Sequence, residues 1–171
     1  MNDPVTIRTA IIDDHEAIRL GVGAALQQHT AGAVRVVSSH ETVDDFLGDD
    51  VDADVVMLDL SLADDSDPKD NVERLAEGGY RILVYSIADS MRMGRRALAG
   101  GADGVCRKAE PIAQTIEALE AVANGQMVLS QEILAAIESD TSYVAASLGP
   151  RERQVLGLYV AGLEIPEVAQ Q

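Results

Sequence analysis

The stretch Val55-Val56-Met57-Leu58-Asp59-Leu60 constrains the fold of this chain more than any other. Four apolar residues in a row suit a strand buried on both faces, and the run stops at a carboxylate. The same form recurs three times. Thr9-Ala10-Ile11-Ile12 runs into Asp13-Asp14, Arg81-Ile82-Leu83-Val84-Tyr85 into Ser86, and Gly104-Val105-Cys106-Arg107 into Lys108. In an open parallel sheet, ligands bind at the carboxyl ends of the strands. If these four strands are parallel, Asp13, Asp14, Asp59, Ser86 and Lys108 meet at one edge.

The segments between them read as helices. Strands are expected at 7–12, 34–37, 55–60, 81–86 and 104–108. Helices are expected at 15–28, 41–47, 70–77, 91–98 and 111–124. Asp14 is placed to cap the first helix. Gly78-Gly79 and Gly100-Gly101 stop the third and fourth, and Pro111 opens the last. Alternating strands and helices predict right-handed crossovers and a five-stranded, doubly wound parallel sheet of the α/β class. This domain is expected over 5–127, followed by a helical linker over 128–147. From 148 to 171 the chain changes character: Pro150 begins an amphipathic helix carrying Val155, Leu156, Tyr159, Val160 and Leu163.

Composition narrows the partners. Hydrophobic residues make up 47%, enough for a core, but aromatics only 3%, so that core is built of Val, Leu, Ile and Ala. The net charge of −16 repels nucleic acid and anionic membranes. DNA binding would need a separate basic segment. The single Cys106 allows no internal disulfide, which fits a reducing cytoplasm. No apolar run reaches membrane-spanning length, so a cytoplasmic protein without membrane contact is expected.

The five strand-end residues form a coherent chemical set. Clustered carboxylates repel each other unless a hard cation sits between them, and oxygen-only ligands suit Mg2+. A carboxylate can also attack phosphorus to give an acyl phosphate, a reaction that needs in-line positioning and charge neutralisation. Lys108 supplies a mobile positive charge, and the Ser86 hydroxyl a hydrogen bond, leaving Asp59 as the acceptor. Each residue alone has a plainer reading: a helix cap, a solvated lysine, a turn-forming serine. It is their recurrence at four strand ends that sets the plainer readings aside. His15, His29 and His40 lack metal-ligand spacing and read as surface residues. Gly21-Val22-Gly23 lies within a helix and lacks the third glycine of a dinucleotide fingerprint.

Ile11-Ile12-Asp13-Asp14-His15-Glu16, Met57-Leu58-Asp59-Leu60, Val84-Tyr85-Ser86 and Gly101-Ala102-Asp103-Gly104 with Lys108 resemble the receiver domain of two-component response regulators, a flavodoxin-like fold. Leu148-Gly149-Pro150-Arg151-Glu152-Arg153-Gln154-Val155-Leu156 with Ala161-Gly162-Leu163 resembles the opening of a LuxR-type helix-turn-helix. Together they resemble the NarL/FixJ class. The resemblance implies that Asp59 is phosphorylated by a sensor histidine kinase. It implies that Asp14, Asp59 and the Ser61 backbone carbonyl bind Mg2+ directly, with Asp13 acting through water. Ser86 and Lys108 would hold the phosphoryl group and signal its presence to the helix at 91–98. It further implies a transcription factor rather than an enzyme, acting as a homodimer. DNA binding belongs to the full-length protein and not to these 171 residues, which reach only the first helix of the motif and the start of the second. The sequence departs from the family pattern at Ala63, where Pro is usual, at Asp67-Pro68, where Gly is usual, and at Val105, where an aromatic switch residue often stands. These departures fit an alternative: a degenerate receiver serving as a phosphorylation-independent dimerisation or protein-interaction module. A third reading, an aspartate-based phosphatase, lacks the usual second carboxylate, because Ser61 stands two residues after Asp59.

Overall fold

The computed structural model describes residues 6–87 and 91–129. Five strands alternate with five helices. The strands are β1 (Ile7–Ile12), β2 (Val34–His40), β3 (Val55–Leu58), β4 (Arg81–Ser86) and β5 (Gly104–Arg107). The helices are α1 (Glu16–Thr30), α2 (Val43–Gly48), α3 (Pro68–Glu77), α4 (Met91–Gly100) and α5 (Ile112–Ala123). The sheet is parallel throughout, in the order β2-β1-β3-β4-β5. The linker helix and the helix-turn-helix read from 130 onward lie outside the described residues.

The twofold period of the strands sorts their side chains into two cores. Ala10, Ile12, Val56, Leu58, Ile82 and Val84 point to one face and pack with Val43 and Phe46 of α2, Val72 and Leu75 of α3, and Ala97 and Leu98 of α4. Ile11, Val55, Met57, Leu83, Tyr85 and Cys106 point to the other. They pack with Val22 and Leu26 of α1 and with Ala118, Leu119 and Val122 of α5. Central strands thus need an apolar residue at every position, which is why β3 reads as an unbroken apolar run.

Several boundaries differ from the sequence expectation. β2 extends to His40, because an edge strand needs only one apolar face and Ser38, Ser39 and His40 can complete it. α3 starts at Pro68 rather than near residue 70. Asp67 is its N-cap and accepts hydrogen bonds from the amides of Lys69 and Asp70, with Pro68 in the first turn. The Asp67-Pro68 pair is therefore a helix start. Pro111 is the N-cap of α5 rather than its first helical residue.

α3 and α4 lie unusually close. A Cβ on Gly100 would sit 2.9 Å from the Lys69 carbonyl oxygen and 3.2 Å from Val72. At the opposite edge of the sheet from β2, the chain returns after α5. The Val105 amide donates to the Val128 carbonyl, and the Val128 amide to the Asp103 carbonyl, both at 3.0 Å. Val128 and Leu129 pack against the two cores from this edge.

Candidate functional site

Asp13 follows β1, Asp59 follows β3, Ser86 ends β4 and Lys108 follows β5. Parallel pairing in register brings them to one end of the sheet. The Asp59 amide donates to the Ile12 carbonyl at 2.9 Å, and the Lys108 amide to the Ser86 carbonyl at 3.1 Å. All four expected strand-end positions are thus occupied as the sequence pattern indicates.

Lys108 stands at the centre. Its Nζ lies 2.5 Å from Asp13 Oδ2 and 2.8 Å from Asp59 Oδ2, with side chains only 5, 2 and 5% exposed. Desolvation pulls the Lys108 pKa down, but its hydrogen bonds to Asp13 and Asp59 outweigh it and leave the value raised. The ammonium is therefore charged at neutral pH and neutralises part of the pocket. The other oxygen of Asp59, Oδ1, is buried and accepts no hydrogen bond. A buried carboxylate oxygen left in this state is costly unless a cation or a donor reaches it. One donor atom each from Asp13, Asp14, His15 and Asp59 lies within 4.8 Å of every other, a spacing that suits one divalent cation. The three carboxylates of this set fit the metal expected from the sequence.

The neighbourhood corrects two expectations. Asp14 does not cap α1: the N-cap is His15, with no side-chain cap hydrogen bond. Instead Asp13 Oδ1 accepts the His15 amide at 2.9 Å, and Asp14 turns into the pocket. The histidines are not all surface residues. His40 is packed edge-on to Phe46, with ring centroids 5.5 Å apart and its side chain 10% exposed. His15 is exposed but stands in the acidic cluster, a placement that spacing alone did not reveal, since its carboxylate partners come from two strands.

Beyond Asp59 the loop is anchored by Leu60 and Leu62, both buried, while Ser61 and Ala63 are exposed. Its acidic residues are partly engaged. The Ser66 hydroxyl and amide donate to Asp64 Oδ1 at 2.6 and 3.1 Å, and the hydroxyl leads the causes that lower the Asp64 pKa. Asp67 caps α3 and pairs with Arg96 of α4 at 2.5 Å. Val105, half-buried on β5, occupies the position where an aromatic switch was absent from the sequence.

Comparison with known proteins agrees with this geometry, although no family model matches the chain. The nitrate/nitrite response regulator NarL of Escherichia coli is 29% identical over 178 residues, covering 99% of this chain and 81% of that protein. A LuxR family DNA-binding response regulator from Silicibacter pomeroyi is 28% identical, with a TM-score of 0.61 over 74% of this chain and 98% of its own. The chain is thus similar to response regulators of the NarL/LuxR family. The isolated receiver domain of RcsB from Salmonella enterica, at 20% identity and a TM-score of 0.66, shares the fold over 76% of this chain and 97% of its own. Within this receiver no described helix is long and apolar enough to cross a membrane.

Proposed function

We propose that this receiver is switched by phosphorylation of Asp59. The observation that carries the reading is the pairing of a buried acceptor carboxylate with Lys108, beside a second oxygen that accepts no hydrogen bond. A carboxylate oxygen of Asp59 forms a bond to phosphorus as the donor's phosphorus–nitrogen bond breaks. The electron pair stays on the departing imidazole of a histidine kinase. Lys108 holds the phosphoryl oxygens through charge, and Ser86 through its hydroxyl. Asp14, Asp59 and the Ser61 carbonyl would hold Mg2+, with Asp13 acting through water. When bound, the cation supplies positive charge against the phosphoryl oxygens.

The output is inferred from the similarity to response regulators of the NarL/LuxR family. By their resemblance in sequence, residues 128–147 would serve as a linker and 148–171 would belong to a LuxR-type helix-turn-helix, so phosphorylation would govern a dimeric, DNA-binding transcription factor in the cytoplasm. This role is a switch rather than turnover catalysis. The deciding experiment is mass spectrometry after incubation with acetyl phosphate, with and without Mg2+, on the wild type, Asp59→Asn and Asp14→Ala. Metal-dependent labelling of Asp59 in the wild type only is expected. Equal labelling of Asp59→Asn, or labelling without metal, sinks the assignment.

A further inference from the structure

The acidic pocket contains one nitrogen donor among its oxygens. His15 Nδ1 lies 2.7 Å from Asp14 Oδ1 and 3.4 Å from Asp13 Oδ1. The shorter contact looks like an ion pair, yet Asp14 Oδ1 is buried and accepts no hydrogen bond, so the ring nitrogen and the oxygen sit side by side without donor alignment. Two ligands at right angles around a small divalent cation stand roughly 3 Å apart, and the two His15 distances bracket that spacing. Asp59 Oδ1, on a side chain 5% exposed, is a second unsatisfied oxygen in the same cluster. The backbone holds the arrangement in place, because the His15 amide is tied to Asp13 Oδ1 and His15 itself is the N-cap of α1.

Resting on the reading of this pocket as a metal site, we propose that His15 is a metal ligand through Nδ1. The pocket then binds later first-row cations such as Co2+ and Ni2+ more tightly than Mg2+. The chemical reason is ligand type. Carboxylate, carbonyl and water oxygens suit Mg2+, whereas imidazole favours later first-row ions. An oxygen-only pocket leaves the choice to cation size and hydration. One imidazole tilts it toward the transition series. The backbone hydrogen bond from His15 to Asp13 fixes where this side chain leaves the backbone beside the carboxylates.

The test uses the full chain with Mg2+, Co2+ and Ni2+ separately, followed by calorimetry. Pulsed electron paramagnetic resonance of the Mn2+ form reads directly bound nitrogen. The wild type is expected to show a coordinated imidazole nitrogen. His15→Gln is expected to lose that signal and about tenfold in Co2+ and Ni2+ affinity, with Mg2+ affinity changed less than about twofold. A nitrogen signal that persists in His15→Gln, or an equal change for all three cations, overturns the proposal while leaving the metal site standing. A rise in affinity for every cation on removing His15 overturns it too, since that is the behaviour of a competing ion pair. If the wild type binds none of the three, or Asp59→Asn binds them as well as the wild type, the metal reading falls and the proposal with it.

Discussion

At the scale of single residues, Lys108 carries the largest electrostatic responsibility. Its ammonium separates two nearly inaccessible carboxylates, and removing it leaves both without their counter-charge. Breaking a buried pair from one side costs about 3–5 kcal/mol. Lys108→Met is therefore expected to lower the unfolding free energy by an amount of that order in the presence of a chelator, measured by urea denaturation. The pH sense follows from the raised pKa. Its stabilisation is complete below the ordinary lysine value and fades only as pH climbs through the higher folded-state value. Denaturation midpoints at pH 6 and pH 8 should thus show the same loss for Lys108→Met. Cys106 offers a second check. Burial first, then its hydrogen bond to Glu110, push the thiol up to about 12. Only the thiolate alkylates efficiently, so iodoacetamide at pH 8 should label the folded protein no faster than it unfolds. Rapid labelling under native conditions would contradict the burial of this side chain.

At the scale of elements, the α3–α4 contact is a close approach of two helices, and it tests the packing cleanly. Gly100 has an ordinary backbone conformation, so Gly100→Ala introduces no dihedral strain, only a methyl against the Lys69 carbonyl and Val72. Overpacking of this kind costs about 1–3 kcal/mol. A drop of several degrees in melting temperature is expected, and no drop would mean the helices separate easily. The same pair is bridged by Asp67 and Arg96. Desolvation raises the Asp67 pKa, but hydrogen bonds from Arg96, Asp70 and Lys69 together leave it lowered. The two roles of Asp67 can be separated by substitution. Losing an N-cap costs about 1 kcal/mol, while an exposed ion pair is worth about 0–1 kcal/mol. Asp67→Ala should consequently destabilise more than Arg96→Ala, with a small coupling term in the double-mutant cycle.

At the scale of the whole molecule, charge is concentrated rather than spread. Residues 41–70 hold twelve acidic residues against the single base Lys69, and the whole chain carries −16. Like charges repel most at low ionic strength, where the Debye length is about 30 Å at 0.01 M and about 10 Å at 0.1 M. Raising NaCl across that range should increase the melting temperature, and a fall would mean that the ion pairs outweigh the repulsion. One of those pairs ties the far end of the sheet, where Arg8 pairs with Asp54 at 2.6 Å and also with Asp52. The hydrogen bond from Arg8 is the leading cause that lowers the Asp54 pKa. A lowered carboxylate stabilises above its ordinary value and loses that contribution as pH falls through its folded-state value. Asp54→Asn should flatten the acid limb of the stability profile slightly, since the pair is largely solvent-screened.

The four strand runs and the polar residues that end them were legible in the linear sequence, because a strand buried on both faces cannot hide its pattern and the turn after it must begin with something polar. So were the glycine stops of α3 and α4. The tertiary structure alone decided what stands beside what. Neighbours separated by about 50 residues or more, such as Lys108 with Asp59 and Asp13, meet only because the strand order places β5, β4, β3 and β1 side by side with their ends level. Asp14 reads as a helix cap until the backbone of residues 13–15 turns it into the pocket. His15 reads as a surface histidine until the ends of β1 and β3 bring three carboxylates within reach of its ring. Local propensity is a property of a few consecutive residues, whereas a site of four donors is a property of how separate segments pack.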